Sequence, residues 1–145
     1  MAILKTEQYN KVKQAADCVD GGSGMVYEFF YKPQAAQAIT NGDILLMGQL
    51  PANCKVISMN VYTTAVGAGT VDVGLVKNSA MAQAFVEAVD ISAEKFTNTQ
   101  KLGAFKYAPS DTATDVGVLF KAGLTIPANA EIRVIMRYRN TQPLE

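Results

Sequence analysis

LPANCKVISMNVY, residues 50–62, and IPANAEIRVIMRY, residues 126–138, decide the fold. Aligned without gaps, both run apolar–Pro–Ala–Asn, then a strand-like stretch, then a closing Tyr. Proline has no N–H to give to a sheet ladder, so it stands where a chain enters or leaves a sheet. Asparagine tolerates left-handed backbone geometry and bonds its own backbone. Pro-Ala-Asn followed by alternation therefore reads as a turn that delivers the chain into a strand. Two such turns, in the first and last thirds of the domain, fit two comparable corners of a sandwich. The likeness is mostly confined to Pro-Ala-Asn and the Tyr, which favours convergence on one turn over duplication.

Working outward, the run after the first turn alternates. Val56, Ser58, Asn60 and Tyr62 fall on one side, Ile57, Met59, Val61 and Thr63 on the other. The run after the second is cleaner: Ile132, Val134, Met136 and Tyr138 against Arg133, Ile135, Arg137 and Arg139. MVYEFFYK (25–32), stopped by Pro33, DILLMGQL (43–50), TVDVGLVK (70–77), LGAFKYA (102–108) and VGVLFKA (116–122) read as further strands. VGAG (66–69) is a turn, and AFVEAVDIS (84–92) fits either a strand or a short helix. About eight short strands between Gly, Pro, Asn, Asp and Ser clusters predict an all-β fold. We expect a single-domain antiparallel β-sandwich over residues 25–143.

Residues 1–24 differ from the rest. They are polar and end in GGSG, a hinge composition, so they read as a flexible N-terminal arm with a short helix over Glu7–Ala16. Such an arm is expected to order on meeting a neighbour. Leu144 and Glu145 resemble a cloning scar and are left out of the domain.

The 145 residues suit one domain, and such a chain buries roughly 70% of its unfolded surface. Hydrophobic residues make up 49% and charged residues 18%, with 13 basic against 13 acidic side chains. A net charge of zero supplies no global field for nucleic acid or an anionic membrane, and neither is expected as a partner. No apolar run approaches the ~20 residues of a membrane-spanning helix, and MAILK is followed by polar residues rather than a signal-peptide core. Synthesis in the cytoplasm is the expectation. Cys18 and Cys54 form no metal motif and read as free thiols.

The chain has no histidine, which removes the commonest general base, most zinc sites and the Ser-His-Asp arrangement. It has no tryptophan to serve as a sugar-stacking platform. GGSG (21–24) lacks the Lys and Ser/Thr of a phosphate loop, and SDTATD (110–115) lacks the glycine and distal Glu of an EF-hand. We read both as loops, expect neither cofactor nor metal, and find no positive case for an enzyme. Two side-chain sets remain as interface candidates. Tyr27, Phe29 and Tyr31 share one strand face, where packing in a core or interface outweighs ligand stacking. Arg133, Arg137 and Arg139 share another, fitting either a solvated strand guarded by charge or a docking patch for an acidic subunit surface.

The run GDILLMGQLPANCKVISMNVYTTAVGAGTVDVGLVKNS, residues 42–79, resembles small structural proteins of tailed bacteriophages, of the capsid decoration or cement kind. The shared pattern is an apolar strand, G-x-L-P, an alternating strand, a glycine turn, then Val71, Val73 and Gly74. It closes with a strand from Ile126 to Tyr138. The resemblance implies a jelly-roll sandwich on the outer capsid surface, trimeric, bridging subunits of the major capsid protein and stabilising their lattice. Two other readings stay open: a head–tail or tail component of a virion, and a β-sandwich module binding glycans or host surfaces.

Overall fold

The computed structural model describes residues 2–11, 15, 25–98 and 108–141. In chain order the elements are β1 (Ile3–Lys5), α1 (Glu7–Lys11), β2 (Met25–Tyr31), β3 (Gln37–Ile39), β4 (Ile44–Leu50) and β5 (Cys54–Thr63). There follow β6 (Thr70–Lys77), β7 (Ala80–Asp90), β8 (Lys95–Thr97), β9 (Thr114–Phe120), β10 (Leu124–Ile126) and β11 (Ile132–Asn140). Five strands form one sheet in the order β1-β4-β9-β6-β7, four form a second in the order β2-β11-β5-β8, and β10 pairs with β3. Every pairing is antiparallel except that of β1 on β4. The all-β sandwich expected from the sequence is the fold found. Residues 84–92, open between strand and helix, lie mainly in β7. Of the strand expected at 102–108, all but Ala108 lies outside the described residues.

The core fills the space between the two large sheets. Leu45, Met47, Val73, Leu75, Val116, Val118 and Phe120 from one sheet meet Phe29, Met59, Val61, Val134, Met136 and Tyr138 from the other. Each such side chain contributes about 1.5–3 kcal/mol of burial, so this apolar set dominates the choice of fold.

Both Pro-Ala-Asn turns do what their chemistry predicts. Asn53 and Asn129 carry φ values of 60° and 65°, in the left-handed region. Each donates its backbone N–H across to another loop at 2.7 Å, Asn53 to the Ser110 carbonyl and Asn129 to the Pro33 carbonyl. The turns lead into β5 and β11, which are antiparallel neighbours. They therefore stand at opposite ends of one ladder. Thr141, just past β11, donates to the Asn53 carbonyl, while Thr64, just past β5, donates to that of Glu131. The repeated sequence marks two equivalent ends of one strand pair.

Two expectations are corrected. The first concerns β5, where strict alternation set Val56 on the face opposite Met59. The β5–β11 register shifts there: Arg137 pairs with Ser58 and Tyr138 with Val56, so Ile57 is the extra residue. This bulge turns Val56 into the core and Ile57 outward. The second concerns the arm. Over residues 2–11 it lies on the molecule's own sheet. β1 pairs with β4, and Tyr9 of α1 packs on Ile44, Leu46 and Val76. The helix is described over Glu7–Lys11 and Ala15 is not helical, while residues 12–14 and 16 of the expected helix lie outside the described residues. Residues 12–14 and 16–24, with Cys18, and residues 142–145 lie outside the described residues.

Polar contacts pin this segment. Asp43 accepts the Ala2 N–H on one carboxylate oxygen and the Thr40 N–H on the other, both at 2.8 Å. These bonds, Thr40 first and then Ala2, hold its carboxyl below the usual carboxylate value. The Tyr9 hydroxyl donates to Asp115 at 2.9 Å, and Gln49 donates to the same oxygen. Burial first, then the Asp115 bond, pushes the phenol up to about 12.

Candidate functional site

The outer face of the four-stranded sheet is open, and β11 runs through it. Alternation sends Ile132, Val134, Met136 and Tyr138 inward and leaves Arg133, Ile135, Arg137 and Arg139 outward. The register then builds rows across the strands. Phe30, Arg133, Tyr62 and Phe96 form one row over β2, β11, β5 and β8. Glu28, Ile135 and Asn60 form the next, and Val26, Arg137 and Ser58 the third. Arg139 pairs with Lys55 at the far end. Val26 and Phe96 are the most exposed large apolar side chains described, at 63% and 52%.

The face has two electrostatic halves. At one end the Arg133 guanidinium lies 4.7 Å from the Phe30 ring centroid, a cation–π distance. It donates to Glu131 at 3.0 Å and to Glu28 at 3.2 Å. The Glu131 bond first, with the charge of Glu28 adding, raises Arg133 further above its ordinary value. Tyr62 donates to Glu94 at 3.0 Å, and that bond raises the phenol. Glu28, Tyr62, Phe96, Glu131, Arg133 and Ile135 line a shallow hollow there. At the other end Arg137, Arg139 and Lys55 make no ion pair with any described residue.

The two candidate sets fare differently. Arg133, Arg137 and Arg139 share the open face, as their spacing predicts, but Arg133 is already held by two carboxylates. Phe29 is 0% exposed in the core, with Tyr27 and Tyr31 partly buried against it. The Tyr27 and Phe29 rings stand 5.2 Å apart. That face of β2 packs inward, and its open side carries Val26, Glu28 and Phe30 instead. Sequence reading missed Phe96, because a three-residue strand gives too little alternation to detect. It missed Val26 because the aromatics of β2 drew attention to the other face.

One edge of this sheet is also closed. The Gln8 carboxamide accepts the Phe30 N–H at 2.8 Å and donates to the Glu28 carbonyl at 3.1 Å. It meets the edge of β2 as a neighbouring strand's peptide group would. Asp115, which closes the SDTATD run and lies in β9, is engaged by Tyr9 and Gln49. Among the described residues no three His, Cys, Asp or Glu side chains stand close enough to hold a metal ion. No helix among them is long and apolar enough to cross a membrane.

No protein-family model matches the sequence, and no curated protein matches it. Solved structures do. A chain in the capsid of Ralstonia phage GP4 superposes with a TM-score of 0.76 at 21% identity, over 97% of this chain and 99% of that one. The fold is that of a phage capsid chain. A chain in the capsid asymmetric unit of cyanophage Pam1 is more distant, with a TM-score of 0.48 at 17% identity over 90% of this chain and 95% of that one.

Proposed function

We propose that this protein is a non-enzymatic structural component of a phage virion. It binds the outer surface of the capsid and stabilises the lattice of the major capsid protein, as a decoration or cement protein does. The observation that carries this reading is the end-to-end match to the GP4 capsid chain, which leaves almost nothing of either chain uncovered. Strand order adds support. Numbering β2, β4, β5, β6, β7, β8, β9 and β11 from one to eight, the sheets run 1-8-3-6 and 2-7-4-5. That is the order of a jelly roll, an architecture frequent in viral capsids. Many modest contacts repeated over a lattice supply the stabilisation, and a trimer converts one weak site per subunit into avid attachment.

The test adds purified protein to capsids of its own phage assembled without it, then measures bound copies and the temperature at which the shells open. Saturable binding with a raised opening temperature is the expected result. Binding confined to the head–tail vertex would move the protein to the joining region, and no binding would remove it from the capsid surface.

A further inference from the structure

Building on the virion reading, we infer that the open face of the four-stranded sheet is the docking surface. Its occupant is an acidic protein surface in which carboxylates sit beside an apolar side chain. Three observations lead there. The five-stranded sheet covers its own outer apolar residues, Ile44, Leu46 and Val76, with Tyr9. The four-stranded sheet leaves Val26 and Phe96 exposed. Gln8 occupies the edge of β2, so at that edge the sheet is met on its face and not extended by a strand.

Charge chooses the occupant. Arg137, Arg139 and Lys55 form a basic end without ion pairs to described residues, on a chain whose net charge is zero. The outward carboxylates of the same face are spoken for: Glu28 and Glu131 by Arg133, and Glu94 by Tyr62. Among the described residues, a second copy docked through this face therefore has no unengaged carboxylate on it to offer the basic end. A partner carrying its own carboxylates does, and Arg presents a planar fork suited to them. The Phe30–Arg133–Tyr62–Phe96 row is the apolar half of the footprint, since aromatic residues and Arg are the side chains enriched at interface centres. Arg133 works here as a spacer, held over Phe30 by its two carboxylates, and not as the residue that meets the partner's acid.

The experiment measures binding of the full chain to capsids of its own phage lacking it, at low and high salt. Four variants are compared: R137E/R139E, R137K/R139K, Phe96→Ser and Ala82→Glu. Ala82 is exposed on β7 of the other sheet. Thermal melts screen each variant, and all the changed residues are exposed or half-buried, so folding is expected to persist. The expected result is a loss of at least about tenfold for R137E/R139E, together with most of the salt dependence. Phe96→Ser loses a similar factor with salt dependence intact, R137K/R139K keeps the salt dependence but binds more weakly than wild type because the fork is lost, and Ala82→Glu binds nearly as wild type. If wild type binds and all four variants match it, the docking face is wrong and the capsid reading stands. If wild type fails to bind, both fall. If R137E/R139E breaks a self-associated form but binds capsids normally, the occupant is a second copy and the acidic partner is overturned.

Discussion

The two sheets treat their outer faces in opposite ways. On the five-stranded sheet, Ile44, Leu46 and Val76 point away from the core and are buried under Tyr9, with Ile3, Met81 and Leu119 around them. On the four-stranded sheet, the corresponding outward positions hold Arg133, Ile135, Arg137, Phe30 and Tyr62, with no element of the described chain laid over them. An antiparallel sheet tolerates one wet face only if that face alternates to polar residues. β11 alternates, and β4 does not. The difference separates a face finished within the subunit from one composed to be wet alone and dry in company.

The strongest way to break that contrast is to truncate one isoleucine on each face. Ile44→Ala removes a side chain only 1% exposed and should cost about 2–5 kcal/mol. Ile135→Ala, on the open face, should cost under about 1 kcal/mol. Urea unfolding of the two variants checks both, and equal losses would mean the open face is covered after all. Acid probes the same cover through Asp43. Its carboxyl is depressed in the folded state, so its contribution is present above the unfolded value near 3.8 and fades as pH falls through the lower folded value. Asp43→Asn should therefore lower the melting temperature at neutral pH, and the gap to wild type should narrow below about pH 4. A gap independent of pH would assign the loss to packing.

How much of this was legible depended on how each strand wrote its environment. The clean alternation of β11 gave the open face and its three arginines directly. ILLM in β4 reads as one more strand, yet an unbroken apolar run is what a strand buried on both faces carries. Read that way, it would have announced a cover over the outer face. Nothing in the sequence named residues 2–11 as that cover, because a three-residue strand and a single helical turn are too short to show a period. The bulge at Ile57 was also out of reach. KVISMNVY alternates well enough by itself, and the shift that turns Val56 inward arises from pairing with β11, a strand distant in the chain. Phe29 misled for a related reason: an aromatic on an alternating strand looks alike whether its face meets the core or a partner.

The Pro-Ala-Asn corners sharpen the comparison from within the open sheet, since each starts one of its two central strands. Asn53→Ala and Asn129→Ala should each cost about 1–2 kcal/mol, the penalty of a Cβ in the left-handed region without asparagine's local bonding. Glycine at the same positions should restore most of it. If alanine and glycine behave alike, backbone conformation is not what the asparagines supply. Smaller again is Tyr9→Phe, which keeps the ring on Ile44 and Leu46 and removes the hydroxyl donated to Asp115. It should cost about 1 kcal/mol, and amide exchange should quicken in β1 and α1 while β11 is unaffected.

The smallest effect is expected where the drawing looks busiest. Arg133 joins two ion pairs and stacks on Phe30, which suggests a linchpin. Its side chain and that of Glu28 are 37% and 44% exposed, however, and exposed pairs of this kind contribute little against side-chain entropy and salt screening. Its Nε is shut off from solvent with no acceptor, which works against whatever the pairs contribute. Arg133→Met keeps an unbranched chain over Phe30, deletes the unpaired donor and returns Glu28 and Glu131 to water. The melting temperature should stay at the wild-type value within replicate scatter, at low salt and at high. A clear drop at low salt that vanishes at high salt would show that the charge triad stabilises the fold. The open face would then be organised for the subunit's own stability, and the contrast with the covered sheet would narrow to a difference in how each face is held.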